Sequence, residues 1–195
     1  MTLDDIFRRR SVSPRRLIEP GPSLEQVRTM IDAACAAPDH RRLRPWRFIL
    51  IRNDQRTLLA NLFEAAACET HNTLSEEQTE RAREKAFNGA CLIAVVGAIR
   101  DNVPDTPPHE QWVSVGAAVQ NILLTATSFG FGSMIVSGDK VKTRALQKGL
   151  GLSVIEQLLG FVAVGTVSKL LPVPERPIVE NVLSVWPPEE TGMLT

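Results

Sequence analysis

From Gln111 to Gly138 the chain carries no formal charge. As far as Phe129 the spacing predicts a helix that is apolar nearly all round, and Gly130 ends it. Such a helix either lies at the centre of a fold or crosses a membrane. A span needs about 20 predominantly apolar residues, and Ser114, Gln120, Asn121 and Thr125 interrupt this one. The segment therefore reads as a central helix, around which the remaining elements must be wrapped. Gly116, Ala117 and Ala118 would let a second copy approach closely.

The flanking segments read as alternating helices and strands. Leu3, Ile6 and Phe7 mark a short helix ending in an arginine run, which Pro14 breaks. Pro20-Gly21-Pro22 is a turn. Ser23 and Gln26 form a capping box, in which each side chain satisfies a free amide of the helix start. Leu24, Val27, Met30, Ile31, Ala34 and Cys35 give that helix its apolar face, and it stops before Pro38. Trp46 to Ile51 reads as a strand. Leu58, Leu59, Leu62 and Phe63 mark a further helix. Ser75 and Gln78 cap a charged one running to about Lys85, a solvated helix or a mobile lid. Cys91 to Ile99 is continuously apolar, the pattern of a strand buried on both faces. Phe131 to Val136 is a short strand. Asp139 is a candidate cap for the short helix to Gly149, and Leu158 to Val167 is the last core strand.

The chain of 195 residues fits one domain, with 44% hydrophobic residues to fill its core. Lys+Arg and Asp+Glu balance at 22 each, and there are few aromatics and no Tyr. Neither the broad positive field nor the stacking residues of a nucleic-acid surface are present. Cys35, Cys68 and Cys91 have neither metal nor disulfide spacing and read as buried free thiols of a cytoplasmic protein. The early acids of Met1 to Asp5 do not form a signal peptide. Pro172, Pro174, Pro177, Pro187 and Pro188 interrupt an apolar tail, so residues 170–195 are expected to form an extended arm laid across this subunit or a partner.

Within a neutral chain, positive charge is concentrated in two places. One is Arg8-Arg9-Arg10-Ser11 with Arg15-Arg16; the other is the loop Arg41-Arg42 with Arg44 and Arg47. Guanidinium forks beside a small hydroxyl suit phosphate, although arginine runs also occur on solvated faces. The Gly-x-Gly-x-x-Gly fingerprint, the phosphate-binding loop, the zinc-protease helix motif and the Gly-x-Ser-x-Gly elbow are all missing from the sequence. An enzyme of this sequence would borrow its reactive group from a cofactor.

Arg9-Arg10-Ser11 after a short helix, Ala37-Pro38 closing the next, and Pro45-Trp46-Arg47-Phe48 entering the first strand together resemble the FMN-dependent nitroreductase family. The central helix ending Gly130-Phe131-Gly132, the Ser137-Gly138 turn, and Gly160 to Gly165-Thr166 continue the likeness, over about Leu3 to Lys169. The family's usual loop, Pro-Ser-Ser-x-Asn-x-Gln-Pro-Trp, is here Pro38-Asp39-His40-Arg41-Arg42-Leu43-Arg44-Pro45-Trp46. That is similar to a compact subgroup of NAD(P)H nitroreductases with an Ala-Pro-Asp-His loop.

The resemblance implies a single α+β domain, a three-layer α/β/α sandwich with a central mixed, mainly antiparallel sheet. It implies a cytoplasmic homodimer with FMN at the subunit interface and NADH or NADPH as reductant. In this reading Arg9, Arg10 and Ser11 grip the flavin phosphate, with Lys169 as a further candidate. Ala36 and His40 lie near the flavin, and Ile135, Val136 and Ser137 approach it from the other subunit. Thr125, Ala126, Thr127, Ser128, Phe129 and Gly130 line the nicotinamide approach. The implied activity is ping-pong hydride transfer to a nitroaromatic, a quinone or a related electrophile, without an assigned catalytic acid or base, metal, nucleic acid or membrane. Two alternatives stay open: a flavin store or sensor without turnover, and a non-flavin anion- or RNA-binding module.

Overall fold

The computed structural model describes residues 2–71, 73–169, 172 and 175–186. Pro174, Pro187 and Pro188 of the expected arm lie outside the described residues. In chain order the elements are α1 (Leu3–Arg8), β1 (Leu17–Ile18), α2 (Leu24–Cys35), β2 (Trp46–Ile51), α3 (Arg56–Thr70), α4 (Glu76–Glu84), β3 (Cys91–Ala98), α5 (Pro108–Ser128), β4 (Gly132–Val136), α6 (Arg144–Gly149) and β5 (Glu156–Val167). Both capping boxes form: Ser23 Oγ accepts from the Gln26 amide and Ser75 Oγ from the Gln78 amide, each at 3.2 Å.

Strand β5 is the hub of the sheet. It pairs antiparallel with β1, β3 and β4, and β3 carries β2 on its other side. A lone parallel bridge joins Ser11 to Ser133, so the N-terminal run is stitched to β4.

Alternation along β3 creates the three layers, because successive side chains of a strand point to opposite faces. Cys91, Ile93 and Val95 pack with α2 and α5, against residues such as Met30, Ala34, Val115 and Ile122. Leu92, Ala94 and Val96 pack on the other face with α3 and α6, against Leu59, Ala60, Ala66 and Leu146. Each large apolar side chain so buried contributes about 1.5–3 kcal/mol. Helix α5 is central as its composition predicts, yet Val113, Gly116 and Gln120 leave one stripe exposed. No described helix is long and apolar enough to cross a membrane.

A bulge interrupts β5. Val95 pairs with Gly160 and Val96 with Leu158, which leaves Leu159 as the extra residue. At Gly160 a Cβ would overlap the carbonyl oxygen of Val136. Glycine there lets the end of β4 lie flush on the bulge.

Several sequence expectations need correction. Cys91 is buried, and burial pushes its thiol up to about 11. Cys35 and Cys68 are instead exposed. Cys35 follows Ala34 by one residue, about 100° round the helix, which takes it off the buried stripe. The cap position before the turn at residues 139–142 is Gly138, with Asp139 already inside it. The two-residue strand β1 has no periodicity to announce it. The arm's described residues 175–186 are exposed, Trp186 at 88%, and Arg176 among them bonds to the Arg9 carbonyl of this subunit.

Candidate functional site

The arginine run divides according to its partners. Arg8 pairs with Asp4 at 3.0 Å and Asp5 at 3.2 Å, and Arg15 approaches Glu84 at 3.7 Å. Arg9 and Arg10 face no carboxylate within ion-pair distance among the described residues. The backbone carbonyl of Arg9 accepts a hydrogen bond from Arg176, and partial burial together with the Arg176 charge lowers the Arg9 pKa. Partly desolvated like charges without an anion are costly to hold. Ser11 lies beside them, its backbone bridged to Ser133, and the Val12 amide donates to the Ser133 carbonyl at 3.1 Å.

Just past Arg9, Arg10 and Ser11, which are not among its lining residues, the chain from Ser13 to Arg15 borders a cavity of about 840 Å³ on the α3/α6 side of the sheet. Ser13 and Arg15 form one wall, and Val136, Ser137 and Gly138 another. Phe63, Leu92, Leu146 and Phe161 give it an apolar floor, with Phe63 edge-on to Phe161 at 5.3 Å between ring centres. Lys85, Asn88 and Lys140 stand at its rim. The volume and the mix of apolar floor and few polar groups are those of a small-molecule site.

The rim is held by backbone chemistry. Lys85 opens a 3-10 turn after α4. The buried guanidinium of Arg56 donates to the carbonyls of Ala86 at 2.8 Å, Gly89 at 3.2 Å and Ala90 at 3.4 Å, fixing the segment that carries Lys85 and Asn88. On the opposite wall the Ser137 hydroxyl donates to the Leu159 carbonyl exposed by the bulge. The carbonyl of Lys140 accepts from both the Thr143 amide and its hydroxyl, at 3.1 and 2.7 Å.

The sequence-derived site residues fall into separate groups. Val136 and Ser137 line the cavity together with Ser13 of the same chain. Ile135, one position away on the strand, turns to the α2/α5 layer. Lys169 is exposed next to Ser168, whose amide donates to the Arg16 carbonyl at 2.9 Å. Ala36 caps the end of α2 and His40 contacts Glu110 at 2.9 Å at the start of α5; neither lines the cavity. From Thr125 to Gly130 the chain forms the end of α5. The hydroxyls of Thr125, Thr127 and Ser128 donate back to carbonyls of their own helix, at 2.8, 2.9 and 2.9 Å.

The second basic loop is a strained knot. Arg41, Arg42 and Arg44 all have positive φ, at 59°, 54° and 49°. Asp39 holds it, accepting the Leu43 amide at 3.1 Å and the Arg44 amide at 2.7 Å. Arg41 also pairs with Asp105 at 2.7 Å, so much of this loop's charge is internally engaged.

Sequence reasoning missed Phe63, Arg56, Lys85, Asn88 and Lys140, which come from distant segments and carry no motif. Among the described residues no cluster of His, Cys, Asp and Glu could hold a metal ion.

The profile of the nitroreductase family matches residues 6–166. A Haemophilus influenzae protein named "Putative NAD(P)H nitroreductase" is 32% identical over 154 residues, 79% of this chain and 83% of its own. A nitroreductase-like family protein from Bacillus cereus has the same fold, with a TM-score of 0.80 at 20% identity, over 95% of this chain and 98% of that one. A solved mutant of NfnB from Sphigopyxis sp., described as an FMN and NADPH-dependent nitroreductase, superposes with a TM-score of 0.72 at 16% identity, over 95% and 98% of the two chains.

Proposed function

This chain belongs to the nitroreductase family and is an oxidoreductase, and we propose that it is an FMN-dependent NAD(P)H oxidoreductase whose flavin site starts at Arg9, Arg10 and Ser11. The observation that carries this reading is the pairing of Arg9 with Arg176, Arg10 next in the chain, without a described carboxylate and a few residues before Ser13, which lines the cavity. A phosphate dianion is the ligand such a cluster fits, since charge-assisted forks bind it best. Lys169 could add a charge from the end of β5.

Ser13 and Val136 to Gly138 would then guide the ring system from that phosphate onto the apolar floor. Bound FMN would supply hydride chemistry at N5, accepting from NADH or NADPH and donating to a nitroaromatic, a quinone or a related electrophile. The chain's own contribution is to position the ring and exclude water. Backbone at Ser137 and Gly138, aligned by the Gly160 bulge, offers polar contacts at the ring edge. Phe63 and Phe161 supply a dry surface beneath it. Donor and acceptor would use this one site in turn, which gives the ping-pong order.

We further propose a homodimer. Ala36 and His40 do not line the cavity of their own chain, while Leu3 (73%), Phe7 (70%) and Val113 (71%) expose apolar surface. Exposed apolar side chains on two touching helices, α1 and α5, favour a protein partner. The exposed tail would lie across the second copy, which could bring His40 towards the first chain's flavin.

Calorimetric titration with FMN and with riboflavin tests the phosphate assignment. FMN should bind at least about tenfold more tightly, the worth of one charge-assisted contact. Equal affinities would refute it.

A further inference from the structure

The rim of the cavity is cationic in a way the flavin phosphate does not explain. Lys85 and Lys140 come from two different elements, α4's terminal turn and the turn after Gly138, and face the same opening. Among the described residues neither lysine lies within ion-pair distance of a carboxylate. Among the described residues Asp139 is the lone carboxylate lining the cavity, and it forms no ion pair with either lysine. Both lysines are mounted on pinned backbone, Lys85 through the Arg56 clamp and Lys140 through Thr143.

Like charges held close together are destabilising unless an anion joins them. Burial and the nearby Lys85 charge both lower the Lys140 pKa. In the flavin reading the ring covers the floor of Phe63, Leu92 and Phe161, and the two cations belong to the same lining, where an acceptor stacked on that ring would meet them. The complement of that opening is a flat body stacked on the ring, with one anionic substituent at its edge.

Resting on the flavin reading above, we infer that the site prefers electron acceptors that are aromatic anions, with Lys140 receiving the acceptor's carboxylate and Lys85 supporting it. The reducing equivalents come from NAD(P)H through the bound flavin, so the lysines take no part in electron transfer. They are specificity determinants.

The test uses FMN-loaded enzyme, saturating NADPH, and a matched pair of acceptors, 4-nitrobenzoate and the neutral 4-nitrobenzamide. The readout is the ratio of their kcat/KM values, in wild type, Lys140→Gln and Lys140→Arg. The ratio should fall by about tenfold in Lys140→Gln, through KM, and recover in Lys140→Arg. Added salt should erode the wild-type ratio, as screening requires. A ratio unchanged by Lys140→Gln, with 4-nitrobenzamide still reduced, would overturn this inference and leave the flavin reading intact. So would a loss in Lys140→Gln of FMN binding but not of riboflavin binding, since the lysine would then belong to the flavin phosphate. Failure of wild-type enzyme to retain FMN or to reduce either acceptor would overturn both.

Discussion

The guanidinium of Arg176 donates to the backbone carbonyl of Arg9, so two arginines far apart in sequence meet, and partial burial together with the Arg176 charge lowers the Arg9 pKa. Without an anion the pair repels. With a phosphate between them, the same arrangement becomes a clamp formed by the N-terminal run and the C-terminal arm.

Arg10→Ala should therefore weaken FMN binding by about 10- to 100-fold, the equivalent of a charge-assisted contact worth about 1.5–3 kcal/mol. Arg10 makes no described ion pair, so the melting temperature of the flavin-free protein should stay within a few degrees. Fluorescence titration and a thermal melt on the same preparation check both halves.

Gly160→Ala should destabilise the fold by about 1–3 kcal/mol, the usual range for overpacking a fitted site. The new Cβ would overlap the Val136 carbonyl and push Ser137 off Leu159. Urea unfolding measures the stability loss. Reduced flavin retention should accompany it, because the displaced residues wall the cavity.

Asp39→Ala should loosen the arginine loop at a cost of about 1–2 kcal/mol, since it strands two amides and a backbone in left-handed conformation. Hydrogen exchange should show faster exchange at the Leu43 and Arg44 amides, which Asp39 now accepts. Exchange unchanged at both would mean that the loop is held by other contacts.

Glu156 sets one acid-stability limb. Arg47 donates to its carboxylate at 2.6 and 3.0 Å and, as the main cause, holds its carboxyl down from 4.5 to about 2. A carboxyl depressed on folding stabilises the native state above its unfolded value, and that contribution is lost as pH falls through the folded value. The pair's contribution should be full above about pH 4.5 and fade towards pH 2. Glu156→Gln should flatten this part of the stability–pH curve, measured by chemical denaturation at each pH.

Legibility in the sequence followed the strength of local patterns. Strand β2, strand β3 and helices α2 and α5 announce themselves by periodicity, capping residues and unbroken apolar runs. The proposed phosphate end of the site rests on a signal that the sequence carries openly, charge concentrated in an otherwise neutral chain. The cavity was not. Phe63 reads as part of an amphipathic helix and Lys85 as the end of a charged one, and no pattern singles out Lys140. Only the sheet and the α3/α6 layer bring them to one opening. Arg56 was hidden for the same reason: the carbonyls it clamps belong to a loop some thirty positions on, seen in its bond to Ala86 at a separation of 30. Cys35 and Cys68 show the converse, since an apolar neighbourhood in sequence does not fix which side of a helix a residue occupies.

The most direct measurement is the visible absorption spectrum of protein incubated with excess FMN, desalted, and mixed anaerobically with NADPH or NADH. Retained flavin absorbance that bleaches on addition of the nucleotide is the predicted result. Flavin that is retained but bleaches with neither nucleotide would contradict the reductase and indicate a flavin store or sensor. A colourless protein after desalting would contradict the flavin site itself and leave Arg9, Arg10 and Arg176 serving some other anion.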